Sequence, residues 1–319
     1  MAAMTTAPGI VDRDEIHVLS PVPRIYASSM SSDPIADLGR TLEQFAGDLA
    51  ALFVANDQPR PGTPAGREAA GEPFGGDWGA QPARELIATI ALASASCADY
   101  LTVIAKTLQA RSGMYSLYTL ARSALEAAAQ GCYLSQPDIK PLERIRRHMN
   151  LDLRALHEDG RMLRRIADRP SVAKANKHAD RELVIGRAGE QFGLSFTKAT
   201  DRRQAYLGDE PVSAMKMIEE CAPNEPALKS AYQLLSGVAH GLWHGHARLL
   251  QRSQNDIPGT VGLGLAVSAQ ALARDLAAAP LCACALVGRL GWYTGWDLDA
   301  VMTSMNYLSA NWERVARMG

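Results

Sequence analysis

The sequence predicts an all-α fold, a bundle of long helices carrying one Pro/Gly-rich loop insertion, and three observations support this. Apolar residues recur at three- and four-residue intervals over long stretches, alternating runs of β-branched residues bounded by turns are absent, and Pro and Gly are dense in one segment, 56–82. With 319 residues, 47% of them apolar-type and 21% charged, the chain is long and apolar enough for a sizeable core.

Residues 1–33 read as a disordered N-terminal segment, and 34–319 as a single helical domain. The first helix is set by Ile35, Leu38, Leu42, Phe45, Leu49 and Phe53, with Asp33 as N-cap and Pro34 in the first turn. The stretches "QPRPGTPAG" and "GEPFGGDWGAQP" then predict a flexible loop, which should tolerate shortening inside 60–76. A second helix follows Pro82 through Leu86, Ile90, Cys97, Leu101, Ile104 and Leu108, and stops at Gly113. The third, "YSLYTLARSALEAAAQGCYLSQP", ends at Pro137, and its only formal charges are Arg122 and Glu126. A helix so poor in charge is expected to be buried round most of its circumference, bringing that pair into the interior. A fourth helix starts near Pro141 with Leu142, Ile145, Met149, Leu153 and Leu156 on one face. Segment 171–210 is mixed, and further helices are predicted at about 211–221, 226–251, 262–292 and 298–316.

A formal charge of −1 gives the chain as a whole no pull on nucleic acid or an anionic membrane, so either partner would need a local patch. The opening "MAAMTTAPGIVDRDE" lacks a basic region followed by an apolar one, and Pro280 and Arg289 interrupt the most apolar late stretch. The expectation is a cytoplasmic protein with no membrane partner. Five cysteines, Cys97, Cys132, Cys221, Cys282 and Cys284, suit reduced, buried thiols. Cys282 and Cys284 would point about 200° apart on a helix and so cannot share a metal.

Three features suggest chemistry. Taking Leu228–Gln251 as a helix, Ser236, His240 and His244 form one stripe, and Gly237, Gly241 and Gly245 form the adjoining one. Each interior glycine costs roughly 1 kcal/mol. The glycine stripe therefore predicts a close approach by a helix or ligand, and Gly241→Leu is expected to overpack it. His240 and His244 with Glu126 would make a site for a divalent metal ion, whereas the absence of a His-Glu-x-x-His pattern disfavours a zinc protease. Second, Arg122 and Glu126 form an i, i+4 pair, and Glu126 is expected to approach His240. Third, 140–169 holds nine Lys/Arg against five Asp/Glu, which fits either a solvated helix face laced with ion pairs or an RNA or phosphate contact, for which Arg144, Arg146, Arg147 and Arg154 are the candidates.

"RSALE" (Arg122–Glu126) and "SGVAHG" (Ser236–Gly241) together resemble segments of uncharacterised all-helical bacterial proteins related to the HEPN group. That resemblance implies an RNA-acting protein of stress or phage defence. In HEPN nucleases an Arg-x(4–6)-His motif cleaves RNA, the His moving a proton and the Arg stabilising the phosphate. By this resemblance the site would comprise His240, Glu126, Arg122 and Ser236. No such motif surrounds His240, and in "RIRRH" Arg144 stands only four positions before His148.

Three functions remain open at this stage: a HEPN-like protein binding or acting on RNA, a metal-dependent helical-bundle oxidoreductase using His240, His244 and Glu126, and a non-catalytic binder of a small molecule. For the last, Trp243 and Gly241, with Trp292, Tyr293 and Trp296, are the expected pocket residues.

Overall fold

Asp33 starts helix α1 (Pro34–Ala55): its carboxylate accepts hydrogen bonds from the amides of Ile35 and Ala36 at 3.0 and 3.2 Å, and Pro34 occupies the first turn. A computed structural model describes residues 33–71, 81–200, 203–223, 225, 227–242, 250–254, 261–265 and 268–318. Of the expected N-terminal segment 1–33, residues 1–32 lie outside these residues, as do 72–80 of the predicted loop. Among the described residues the other helices are α2 (Pro64–Ala69), α3 (Gln81–Ala110), α4 (Met114–Leu134), α5 (Pro141–Ile166), α6 (Arg169–Gln191), α7 (Ala214–Cys221), α8 (Ala227–Ala239), α9 (Ala269–Leu276), α10 (Ala278–Thr294) and α11 (Asp299–Ala316). The fold is all-α, as the apolar periodicity predicts.

Two short antiparallel ribbons interrupt the helices. Strand β1 (Phe196–Thr197) pairs with β2 (Tyr206–Leu207), and β3 (Leu250–Gln254) pairs with β4 (Val261–Leu265) so that Leu250 faces Leu265. The expected helices at 226–251 and 262–292 are therefore corrected: α8 stops at Ala239, and β3 and β4 take positions assigned to helix. The mixed segment from 171 is also more ordered than expected, since α6 runs to Gln191.

Helix α4 is the centre of the bundle and packs against α3, α7, α8 and α10. Its small residues make this possible: Ala121, Ala124, Ala128 and Ala129 are buried with Leu117, Tyr118, Leu125 and Cys132. What stays open is one face, which includes Tyr115, Ser116, Thr119, Arg122, Ser123, Glu126 and Gln130. Arg122 and Glu126 thus lie at the edge of the helix, with side chains 23% and 36% exposed, and not in the interior as expected. Helix α3 is long and apolar enough to cross a membrane, and α9 with α10, bent by 44°, passes the same test only as a pair. In the bundle the apolar stripe of α3, Leu86, Ile90, Leu101, Ile104 and Leu108, is buried between α1 and α4.

Segment 57–71 is docked, which corrects the reading of 56–82 as loop throughout. Thr63 caps α2 by accepting from the Gly66 amide at 3.1 Å, and Pro64 opens the helix. The Arg60 amide donates to the Thr294 carbonyl at 2.8 Å, and Trp296 Nε1 donates to the Gln58 carbonyl at 2.9 Å. Phe53 meets the Trp296 ring edge-on. Gly295 ends α10 at φ +70°, where a Cβ would lie 2.5 Å from Thr63 Cγ2, so both the turn and the docked strap exclude a side chain there.

The strongest tie is made by Glu68. Its Oε1 accepts from Arg144 Nη1 at 2.5 Å and its Oε2 from the Tyr293 hydroxyl at 2.7 Å. Arg144 also donates to the Gln136 carbonyl at 2.9 Å and lies 4.9 Å from the Tyr293 ring centroid. Both charged side chains are only 2% exposed. Burial pushes the Glu68 carboxyl above the ordinary range against the opposing pull of Arg144 and Tyr293. Removing one member of such a pair strands the other in the core. Glu68→Ala is therefore expected to lower the unfolding free energy by roughly 3–5 kcal/mol, with Glu68→Gln, which keeps a hydrogen-bonding group in place, costing less. Denaturant titration checks this, and equal losses in the two variants would show that packing, not the buried charge, holds α2.

Candidate functional site

The open face of α4 meets the C-terminal end of α8. Arg122 Nε donates to Glu126 Oε1 at 3.0 Å, and the Tyr232 hydroxyl donates to the same oxygen at 2.8 Å. Arg122 Nη1 lies 2.8 Å from His240 Nε2. Arginine has only donors, so the imidazole accepts through Nε2 and carries its own proton on Nδ1. The guanidinium also lies 5.6 Å from the Tyr232 ring centroid. Burial lowers and the Glu126 carboxylate raises the Arg122 pKa, with a net rise; Tyr232 is raised by burial and by its bond to Glu126. The four side chains form one chain of contacts, Tyr232, Glu126, Arg122, His240. Tyr232 is the member that sequence reasoning missed: it lies four positions before Ser236, the first residue of the stripe, and no charge marks it.

Glu126 and His240 therefore meet through Arg122. No direct bond joins them among the described residues. His240 is exposed and stands where α8 terminates. The Leu242 amide donates to the Gly237 carbonyl at 2.9 Å and the Gly241 amide to the Val238 carbonyl at 3.0 Å, the paired bonds of a Schellman cap with Gly241 in the left-handed conformation at φ +67°. Gly241 thus ends the helix, and a Cβ built on it meets nothing within 4 Å among the described residues. Trp243, His244 and Gly245 lie outside those residues. Ser236 accepts the His240 amide at its carbonyl, 3.0 Å away, and lines with Ser230, Tyr232, Gln233 and Leu242 a groove of about 530 Å³.

Of the expected metal ligands, His244 lies outside the described residues, and Arg122 stands between the other two, Glu126 and His240. A guanidinium bonded to both Glu126 and His240 repels a divalent cation placed between them. Among the described residues no three His, Cys, Asp or Glu side chains converge as ligands. The remaining aromatic candidates lie elsewhere, Tyr293 in the Glu68 cluster and Trp296 on the 57–63 strap.

Three of the four arginines proposed for RNA are consumed by the fold. Arg144 is buried against Glu68. Arg146 makes a two-pronged bond to Glu143 and reaches the Leu207 and Asp209 carbonyls, both at 3.2 Å. Arg147 bonds Glu143, the Tyr133 carbonyl and Gln136. Burial raises the Glu143 carboxyl, but the two arginines win and hold it below the ordinary range. Arg154 is exposed and paired with Glu158 at 2.9 Å.

His148 sits inside this region, 2% exposed, with neither ring nitrogen hydrogen-bonded. Asp152, 3.7 Å away, is its nearest charge. Burial lowers the imidazole pKa, and Asp152 and Glu85 only partly offset this. Burial shifts the Asp152 carboxyl the opposite way, upward.

Comparison of the chain with family models, curated proteins and solved structures gives no match.

Two outcomes follow from this geometry. Because His148 is protonated more readily in the unfolded chain than in the fold, its contribution to stability is full above the ordinary histidine value of 6.5 and is lost as pH falls below it. Melting temperature measured against pH should decline below that value, before carboxylates titrate, and His148→Met should flatten the decline; identical slopes would refute a neutral buried imidazole. At Gly241 the cost of a side chain is backbone strain alone, about 1 kcal/mol. Gly241→Ala and Gly241→Leu should then destabilise equally in calorimetry, whereas a much larger loss for leucine would restore the close crossing.

Proposed function

We propose that the Arg122–His240 pair binds a phosphate ester and that RNA is the substrate class. The observation that carries this reading is the 2.8 Å contact between a guanidinium on α4 and an imidazole at the end of α8. The HEPN resemblance gives these residue types their roles, Arg for the phosphate and His for the proton. Glu126 and Tyr232 orient the guanidinium from one side, leaving a partly exposed donor fork suited to a phosphate.

The chemistry follows from competition for one N–H. A phosphate oxygen that accepts the Nη1–H hydrogen bond of Arg122 in place of His240 releases the Nε2 lone pair of His240. That lone pair can then accept the proton of a ribose 2′-hydroxyl as its oxygen bonds to phosphorus, the bond from phosphorus to the 5′-oxygen breaks, and the departing 5′-oxygen takes a proton from solvent water. The Arg122 charge stabilises the phosphate during the step. A second reading, a small anionic molecule, is favoured by the groove of about 530 Å³ beside Tyr232 and Ser236, which is of ligand size.

Fluorescence anisotropy with a short mixed-sequence RNA tests the proposal. Arg122→Ala should weaken binding at least about tenfold, the loss of one charge-assisted contact. His240→Ala should retain binding and reduce cleavage about a hundredfold or more. Tight binding of a nucleoside monophosphate without binding of the RNA would select the second reading. Wild-type affinity for RNA in Arg122→Ala would remove the site.

A further inference from the structure

Helices α5 and α6 form a hairpin with a small core of their own, Leu153, Ile185, Ala205 and Leu207, completed by the β1–β2 ribbon. Its apex is tightly built: Ala167 ends α5 at φ +60°, and Asp168 caps α6 by accepting from the Ser171 amide at 2.7 Å. The basic surplus of this segment, once the inward arginines are removed, resides here. Arg161, Arg164, Arg165 and Arg169 are all exposed, and among the described residues none makes a hydrogen bond or ion pair.

The acidic groups of the apex are already committed. Glu158 holds Arg154, Asp159 is held by His178 at 2.7 Å and Lys174 at 3.2 Å, and Asp168 caps the helix. Glu182 on α6 feels the charge of Arg164 without pairing to it. The arginines are interleaved with apolar side chains held in water: Met162 is 54% exposed and Ile166 56%. These two, Arg161 and Arg165 line one shallow groove together with Glu158, the carboxylate that holds Arg154, since each set repeats after one helical turn.

We propose that this apex docks on an anionic lipid surface. Lipid headgroup phosphates match the unpaired guanidinia, and the acyl boundary matches Met162 and Ile166. Nucleic acid would satisfy only the charges: the apex has no Phe, Tyr or Trp on which a base could stack. A net charge of −1 for the whole chain conceals this patch, which is local. The proposal shares no residue with the Arg122–His240 site and does not depend on it.

Vesicle co-sedimentation of the full chain tests the proposal, with phosphatidylcholine vesicles that contain or lack phosphatidylserine. Binding is expected to the anionic vesicles, at least about tenfold above the neutral ones, and to fall with added salt. Arg161→Glu with Arg165→Glu should reduce it at least about tenfold. Met162→Ser with Ile166→Ser should also reduce it, at unchanged charge. All four positions are exposed, and an unchanged thermal melt establishes that the variants are folded. The proposal is overturned by equal binding to both vesicles, by binding indifferent to either pair of substitutions, or by loss of RNA affinity in the arginine variants of a chain that ignores lipid.

Discussion

A guanidinium at the centre of a protein demands compensation, and the arrangement around Arg144 is organised by that demand. Desolvating a charge costs several kcal/mol unless an opposite charge and hydrogen bonds replace the water. Here the carboxylate comes from α2, the hydroxyl from α10 and the carbonyls from the turn between α4 and α5. Four parts of the chain are thereby tied to one atom group. Helix α2, six residues long, is too short to persist alone; its place is assigned by Glu68 and by the strap before it.

The same economy explains the placement of the candidate site. Helix α4 is surrounded by other helices, so its single open face is the only part of it able to carry Arg122 and Glu126 half in water. Partial burial matters chemically, because a half-desolvated guanidinium interacts more strongly than one in bulk water and is still reachable. Tyr232 and His240 arrive from α8 because that helix lies along the open face and ends beside it.

Legibility in the sequence followed the strength of the local signal. Helices α1, α3, α4 and α5 could be placed because their apolar periods are long, and α1 has in addition an ordinary cap, Asp33 with Pro34. The charge-poor character of α4 correctly marked a central helix, although it also suggested an interior Arg122. Helix α2 was hidden inside a Pro/Gly-rich segment, yet "TPAGRE" carries a Thr cap and a first-turn Pro, which a density argument passes over. The three glycines of "SGVAHGLWHG" admitted two readings, a packing stripe or a terminator, and the choice depends on where the helix stops. Likewise "VGLGL" has a period of two, but beside a long apolar run it was absorbed into a helix. Composition could count the arginines of 140–169 but could not say which would find carbonyls, because those carbonyls belong to residues 133–139 and 207–209.

The Glu68–Tyr293 bond spans 225 positions, and this separation bears on how the chain is made. Synthesis proceeds from the N-terminus at a finite rate, and domains fold as their parts emerge. Helices α1, α3 and α4 can associate early, but the Arg144 cluster lacks its hydroxyl until α10 has left the ribosome. Until then a charged pair awaits a partly built core, and contacts of such long range are slow to form. Final consolidation of this fold is therefore expected only after α10 has emerged, and the growing chain depends on that helix to close the interior.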